Sequence, residues 1–381
     1  MKDLHTKKDE AGFSLIELLI VMVIMLIIMG SVFALLRGTI TTATANYEMT
    51  GAAQSLRNAQ EYISRDILVA GDGFKGIANI WLPTGFVTGY LTARPAAEID
   101  PSNIGFTNVG SVISDFNVPE NVKVLGADPP TTVRPRTDRL TLLALDPNFS
   151  SIDIPLGGVN LNTGQINIPA GQIGSFNVGE VYYITSDGMG AFGTVTAVDT
   201  DANRIFWAEG DALGLNRYGL SGLLGVGTNR GNSAASLRRV QIVHYFVDAD
   251  GKLIRRVFGV RNASFIDSVI AEHVFELKFR YILNPDGKGT ILEQPKEQLE
   301  MEDASLVRMI KPSLRVKTAH ELQDGERHDV DGTSRIGVRN IQFLEAPVPR
   351  DSQGNTELTN PEPTPEITPT PTPEPTPKGA G

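Results

Sequence analysis

The sequence predicts an α+β molecule: a long N-terminal helix packed on an antiparallel β-sheet, with a small inserted β subdomain and a disordered proline-rich C-terminal tail. Three observations predict it. Residues 13–36 are apolar apart from Ser14, Glu17, Gly30 and Ser31, a run suited to a transmembrane helix. Met49, Ala52, Leu56, Ala59, Ile63, Ile67 and Ala70 then recur at spacings of three and four, the mark of an amphipathic helix. Beyond residue 139, β-branched and aromatic runs alternate with Gly, Asp and Asn turns, the mark of strands.

The elements follow in chain order. Residues 1–12, MKDLHTKKDEAG, are polar, with Lys2, Lys7 and Lys8 ahead of the apolar run, and suit a short cytoplasmic leader. A secretory signal places its small-residue cleavage site after the apolar core, whereas Ala11 and Gly12 precede it here, so that cleavage at this point keeps the helix. Twenty-four residues, 13–36, span about 36 Å, enough to cross a bilayer with some tilt. Within them Glu17 is the anomaly: a lone carboxylate in lipid costs at least about 2.5 kcal/mol and normally marks a partner or a pathway. Residues 37–70 continue as the amphipathic half, with Gln54, Arg57, Asn58, Gln60 and Glu61 on other faces, until Gly71-Asp72-Gly73 stops the helix. Gly38 and four threonines make 37–45 the stretch where it is expected to loosen or bend.

Residues 71–176 read as a loop-rich αβ region with the first strands, including Ile80-Trp81-Leu82, Ile104-Gly105-Phe106 and the run 139–145. Residues 177–236 read as the inserted β subdomain and a loop, its strands at 180–185, 191–198 and 204–208 punctuated by Ser186-Asp187-Gly188 and Asp199-Thr200-Asp201. The main sheet occupies 237–346. In it, 240–247 and 253–260 flank Asp248-Ala249-Asp250-Gly251 as a hairpin, 264–271 reads as a short helix or turn, and 273–283, 313–319 and 335–343 are further strands. Residues 347–381, rich in Thr-Pro and Pro-Glu steps, cannot bury enough surface to fold and suit a polyproline II spacer.

Composition narrows the function. A net charge of −10 without a basic run argues against nucleic acid as a partner, and the absence of cysteine removes disulfides and thiol chemistry. No Ser/His/Asp or Cys/His motif is present, so no catalytic residue, cofactor or enzyme activity is expected. Gly225-Val226-Gly227 with Gly231 lacks the spacing of a nucleotide loop. The acidic stretch 320–332 offers Asp324, Glu326, His328, Asp329 and Asp331 as weak metal candidates. Their spacing is irregular and Arg327 opposes a cation, which favours a solvated inter-strand loop and no metal.

Gly12-Phe13-Ser14-Leu15-Ile16-Glu17, with its leader and apolar run, resembles the processing site of type IV prepilins and type II secretion pseudopilins. The resemblance implies that prepilin peptidase cuts after Gly12 and that Phe13 becomes the methylated N-terminus. It also implies a pilin-like fold and assembly through the N-terminal helix. Glu17 then has a use, because the Phe13 ammonium of a neighbouring subunit is also stranded in lipid and needs a counter-charge. The implied partners are prepilin peptidase, other minor pilins or pseudopilins and the major pilin, the inner-membrane assembly platform, and membrane lipid. The implied location is the bacterial inner membrane, single-pass with a cytoplasmic N-terminus and a periplasmic C-terminal domain, and then the pilus or pseudopilus.

Three further segments narrow the resemblance: Ser64-Arg65-Asp66-Ile67-Leu68-Val69-Ala70-Gly71, the pair Val243-His244-Tyr245-Phe246 and Leu253-Ile254-Arg255-Arg256, and the ending Leu314-Arg315-Val316-Lys317-Thr318 with Arg335-Ile336-Gly337-Val338-Arg339-Asn340. They are similar to the end of the long helix, the central hairpin and the closing strands of W-type minor pilins. The acidic proline-rich tail and the lack of cysteine depart from that pattern. The functions to be separated are a minor pilin that initiates or caps a filament, a J-type minor pseudopilin of type II secretion, and a membrane-tethered monomeric binding domain or enzyme.

Overall fold

A single helix, Leu15–Val69, carries the apolar and amphipathic runs together, 55 residues without a break. At 1.5 Å per residue it is about 82 Å long. The computed structural model describes residues 14–74, 80–119, 122–123, 132–133, 136–160, 163–186, 189–216, 235–284, 295–299, 306–322 and 325–338. The chain divides into two units, Met1–Gln342 and Phe343–Gly381. The second unit, with the tail expected to be disordered, lies outside the described residues, as do the leader, Gly12 and Phe13.

The expected loosening at 37–45 does not break the helix. The hydroxyls of Thr39, Thr41, Thr42 and Thr44 donate back to the carbonyls of Leu35, Arg37, Gly38 and Ile40. Side chains that compete with helical backbone elsewhere are here bonded within it. The helix ends where Gly71 and Gly73 take positive φ angles of 77° and 75°. The turn is tied to the sheet at once, since Gly71 N–H donates to the Leu143 carbonyl and Leu145 N–H to the Asp72 carbonyl.

The main sheet is built around the long strand Ala235–Val247. Its second half pairs with Arg136–Leu145 on one side and with Leu253–Val260 on the other, and Ala263–Ala271 follows Leu253–Val260. Its first half pairs with Val181–Ser186 and Ile152–Ile154, and Val181–Ser186 with Met189–Thr194. Val112–Pro119 completes the sheet against Arg136–Leu145. A second sheet joins Val274–Leu283, Val307–Lys317, Asp329–Thr333 and Ile336–Gly337. A small sheet holds Val159–Asn160, Gln165–Asn167, Arg204–Phe206 and Ala197–Asp199.

Alternation along the strands sorts side chains into cores on both faces of the main sheet. Val243, Tyr245 and Val247 join Leu140, Leu142 and the helix residues Leu56, Ala59, Ile63 and Ile67, together with Leu277, Ile310 and Leu314 of the second sheet. Val240 and Ile242 point the other way, to Phe86, Leu91, Leu143 and Phe258. A third cluster, around Tyr182, Ile184, Ile205 and Trp207, lies under the small sheet. Asp138 links the two larger sheets: one carboxylate oxygen accepts the N–H of Asn117 at 2.9 Å and the other the N–H of Phe279 at 2.8 Å. Burial pushes its pKa up in spite of these two bonds.

Two expectations are corrected. Residues 264–271 form a strand rather than a helix or turn: Gly259 and Asn262 supply φ angles of 72° and 58° at the reversal, and the chain returns along Leu253–Val260. The strands found for 180–185 and 191–198 do not form a detached small sheet. Val181–Ser186 and Met189–Thr194 extend the main sheet, and only Ala197–Asp199 and Arg204–Phe206 belong to the small one. Glycine makes that junction possible, because a Cβ on Gly193 would stand 2.1 Å from the Trp207 ring. The strand expected at 335–343 is described only at Ile336–Gly337.

Candidate processing and assembly segment

The start of the long helix has a specific geometry. Ser14 is extended (φ −70°, ψ 142°) and caps the helix, and Glu17, three residues on, turns back so that its Oε2 accepts the Ser14 N–H at 3.2 Å. The unpaired N–H groups of a first helical turn carry partial positive charge, which favours a carboxylate there. A carboxylate accepts more than one hydrogen bond, so this contact leaves Glu17 with capacity for a cation from outside the chain. Phe13, whose amine is the expected cation, and Gly12 precede the described residues.

From Leu15 to Leu36, eighteen large apolar side chains are exposed, among them Leu15 at 83% and Leu35 at 73%. At about 1.5–3 kcal/mol per side chain, leaving them in water forfeits several tens of kcal/mol, so the segment needs lipid or other helices around it. It is long and apolar enough to cross a membrane, and none of its apolar window is buried in the fold.

The other half of the helix is fixed to the sheets. Its buried face runs Glu48, Ala52, Leu56, Ala59, Ile63, Asp66, Ile67 and Ala70. The apolar members match the expected face, whereas Met49 is only partly covered. The two acids were missed, although both fall in phase with that face: their partners lie far along the chain and leave no local sign. Asp66 Oδ2 accepts the Tyr245 hydroxyl at 2.5 Å and Arg255 Nε at 2.6 Å, and its Oδ1 accepts Arg255 Nη2 at 3.2 Å. Burial and then the Asp66 charge push the Tyr245 pKa up, keeping the hydroxyl a donor. Burial works against the Arg255 charge, but Asp66 outweighs it and raises the Arg255 pKa. Glu48 meets His320, whose Nδ1 lies 2.9 Å from Oε1 and whose backbone N–H reaches Oε2 at 3.2 Å. The His320 side-chain bond holds the Glu48 pKa below the usual carboxylate range.

The weak metal candidates are dispersed along a turn and a strand. Asp329 and Asp331 lie on Asp329–Thr333, opposite Lys317 and Arg315 in the register, and Asp329 stands 3.9 Å from the Lys317 ammonium. Arg327 donates to the carbonyls of Thr318 and Ala319. Glu326 and His328 flank it, and Asp324 lies outside the described residues. Among the described residues no group of three or more His, Asp or Glu side chains is placed to hold a metal ion.

Comparison with known families adds one match, the prokaryotic N-terminal methylation motif over residues 7–33. It contains Gly12, Phe13 and Glu17 and supports a prepilin-type signal of the type IV pilin and pseudopilin kind. No curated protein and no solved structure matches the chain.

Proposed function

We propose that this chain is a structural minor pilin that initiates or caps a type IV pilus-like filament, after prepilin peptidase has cut between Gly12 and Phe13 and the new N-terminus has been methylated. The observation that carries the reading is the divided helix. Its motif-bearing half has no fold to cover it, while its second half is stitched to the sheets by an apolar face and two buried acids. Such a helix transmits a grip on its exposed half to the whole ectodomain. In the membrane that half is solvated by lipid; in a filament it packs against the helices of other minor pilins and the major pilin. Glu17 of one subunit pairs with the Phe13 ammonium of the next, so two charges that are costly alone offset one another in the assembled state. The W-type character rests on the segments of Asp66, Tyr245 and Arg255, which the fold brings into one network.

Glu17→Ala tests the reading. The variant should be cleaved and inserted like wild type but depleted at least tenfold from sheared filaments, read by immunoblot against the major subunit. Incorporation at the wild-type level would show that the charge pairing is wrong.

A further inference from the structure

The two-stranded ribbon of Ile80–Pro83 and Phe106–Val109 turns one face inward and one outward. Ile80, Leu82, Thr107 and Val109 are buried beneath it. Trp81 and Asn108 stand directly opposite each other in the register, and Phe106 lies opposite Pro83, so alternation leaves Trp81, Asn108 and Phe106 on the outer face. Trp81, Phe106 and Asn108 are each only partly buried, so part of the indole stays open to solvent although a core lies one residue away on either side.

These side chains form one wall of a cleft of about 470 Å³, a size that suits a small ligand. The facing wall comes from 94–104. Asp100 holds it rigid: burial works against its charge, but the N–H groups of Ile104 and Gly105 and the Thr84 hydroxyl all donate to it. Arg94 joins the wall with its guanidinium between Glu98 at 3.7 Å and Asp115 at 3.9 Å, and donates to the Leu299 carbonyl. Glu98 remains half exposed at the rim, next to the exposed Ser102.

The lining chemistry selects the ligand class. Arg94, Glu98 and Asp100 sum to one negative charge, with Asp115 behind them, which disfavours phosphates, nucleic acids and acidic peptides. What remains is an aromatic platform beside carboxylate, amide and hydroxyl groups. A pyranose ring fits that pairing: its C–H face carries the positive edge charge that the negative face of an indole attracts, and its hydroxyls both donate and accept. We propose that this cleft binds a neutral saccharide, with one ring stacked on Trp81 and its hydroxyls met by Glu98, Ser102 and Asn108. The site belongs to the ectodomain and stands whether or not the filament reading does.

Tryptophan emission provides the test, because the chain has two tryptophans and Trp207 is buried at 1% exposure, leaving Trp81 as the responsive one. The full chain, in micelles of a detergent without a sugar headgroup, is titrated with maltotriose, cellotriose and the N-acetylglucosamine trisaccharide. At least one should give a saturable change in emission with a midpoint of about 1 mM or below. Glycan pull-down with that sugar should weaken at least tenfold in Trp81→Ala and in Glu98→Ala, and by less in Trp81→Phe, with circular dichroism unchanged in all three. No saturable response to any of the sugars up to about ten times that concentration, or pull-down equal in Trp81→Ala and wild type, would overturn the proposal. A response confined to a synthetic peptide of residues 361–377 would also overturn it, in favour of a groove for proline-rich chain.

Discussion

Asp66 sits on the apolar face of the long helix at 6% exposure, where an unpaired charge would be expelled or neutralised. Tyr245 and Arg255, on adjacent strands of the hairpin, make it tenable. Breaking a buried pair from one side costs more than the pair contributes, since the remaining charge keeps its desolvation cost. Asp66→Asn should therefore destabilise the fold by about 3 kcal/mol, because Arg255 loses its counter-charge. Tyr245→Phe should cost about 1.5–3 kcal/mol, the worth of one hydrogen bond to a charged acceptor. Urea unfolding measures both, and the double variant should fall short of their sum because the residues share one network. His244, on the other face of the same strand, carries a different dependence. Burial, with Arg139 and Arg256 nearby, lowers its pKa to about 3, and the neutral ring lies 2.8 Å from the Thr141 hydroxyl. The unfolded chain has this group at about 6.5, so between those values it binds a proton that the folded state refuses. The stability that depends on neutral His244 is full above about pH 6.5 and is lost as pH falls, at about 1.4 kcal/mol per unit. His244→Asn keeps a partner for Thr141 and removes the titration. Its urea-derived stability between pH 4 and 6 should slope less steeply than wild type by about that amount, and parallel slopes would refute the assignment.

At the scale of elements, what the sequence reveals depends on how local the cause is. The helix Leu15–Val69 and the hairpin of Ala235–Val247 with Leu253–Val260 are set by periodicity and by the Asp248 to Gly251 turn, which neighbouring residues supply. Ala263–Ala271 is not legible in that way. Asp267 and Ser268 interrupt the two-residue alternation, and Ile266 and Val269 remain 46% and 52% exposed, so no clean apolar face announces a strand. Its pairing with Leu253–Val260 decides the matter, helped by Arg256, whose Nε and Nη2 each donate to Asp267 at 2.7 Å. Val181–Ser186 reads correctly as a strand, but its sheet is settled by Ser236 to Arg239, some fifty residues later. In the candidate site the contrast is sharper. Glu17 stands out in the sequence because its apolar setting is local, whereas Glu48 and Asp66, though in phase with the buried face, show no local sign of the partners that the chain brings to them, His320, Tyr245 and Arg255.

The whole molecule is divided by solvent along the helix. Upstream of residue 37, apolar side chains face outward on every side, and from Glu48 onward the helix turns its apolar face to the sheets and its polar faces to water. The side chains that forbid solubility thus lie in one contiguous stretch, and removing it should leave a well-behaved protein. The cut is best made upstream of Glu48, because Glu48 ties the helix to His320 and a start at Met49 discards that contact. A fragment of residues 44–349 should be soluble and monodisperse, and should melt in one cooperative transition, because one core runs from the helix face through both larger sheets. A fragment of residues 49–349 should melt a few degrees lower. The full chain should instead sediment with membranes, resist extraction by high salt or alkaline carbonate, and yield to detergent, since hydrocarbon rather than surface charge retains it. Differential calorimetry and light scattering on the fragments, with fractionation of the full chain, test these expectations together. Aggregation of the 44–349 fragment would mean that the apolar half is needed to fold the ectodomain. Release of the full chain by salt alone would mean that its apolar half does not enter the bilayer.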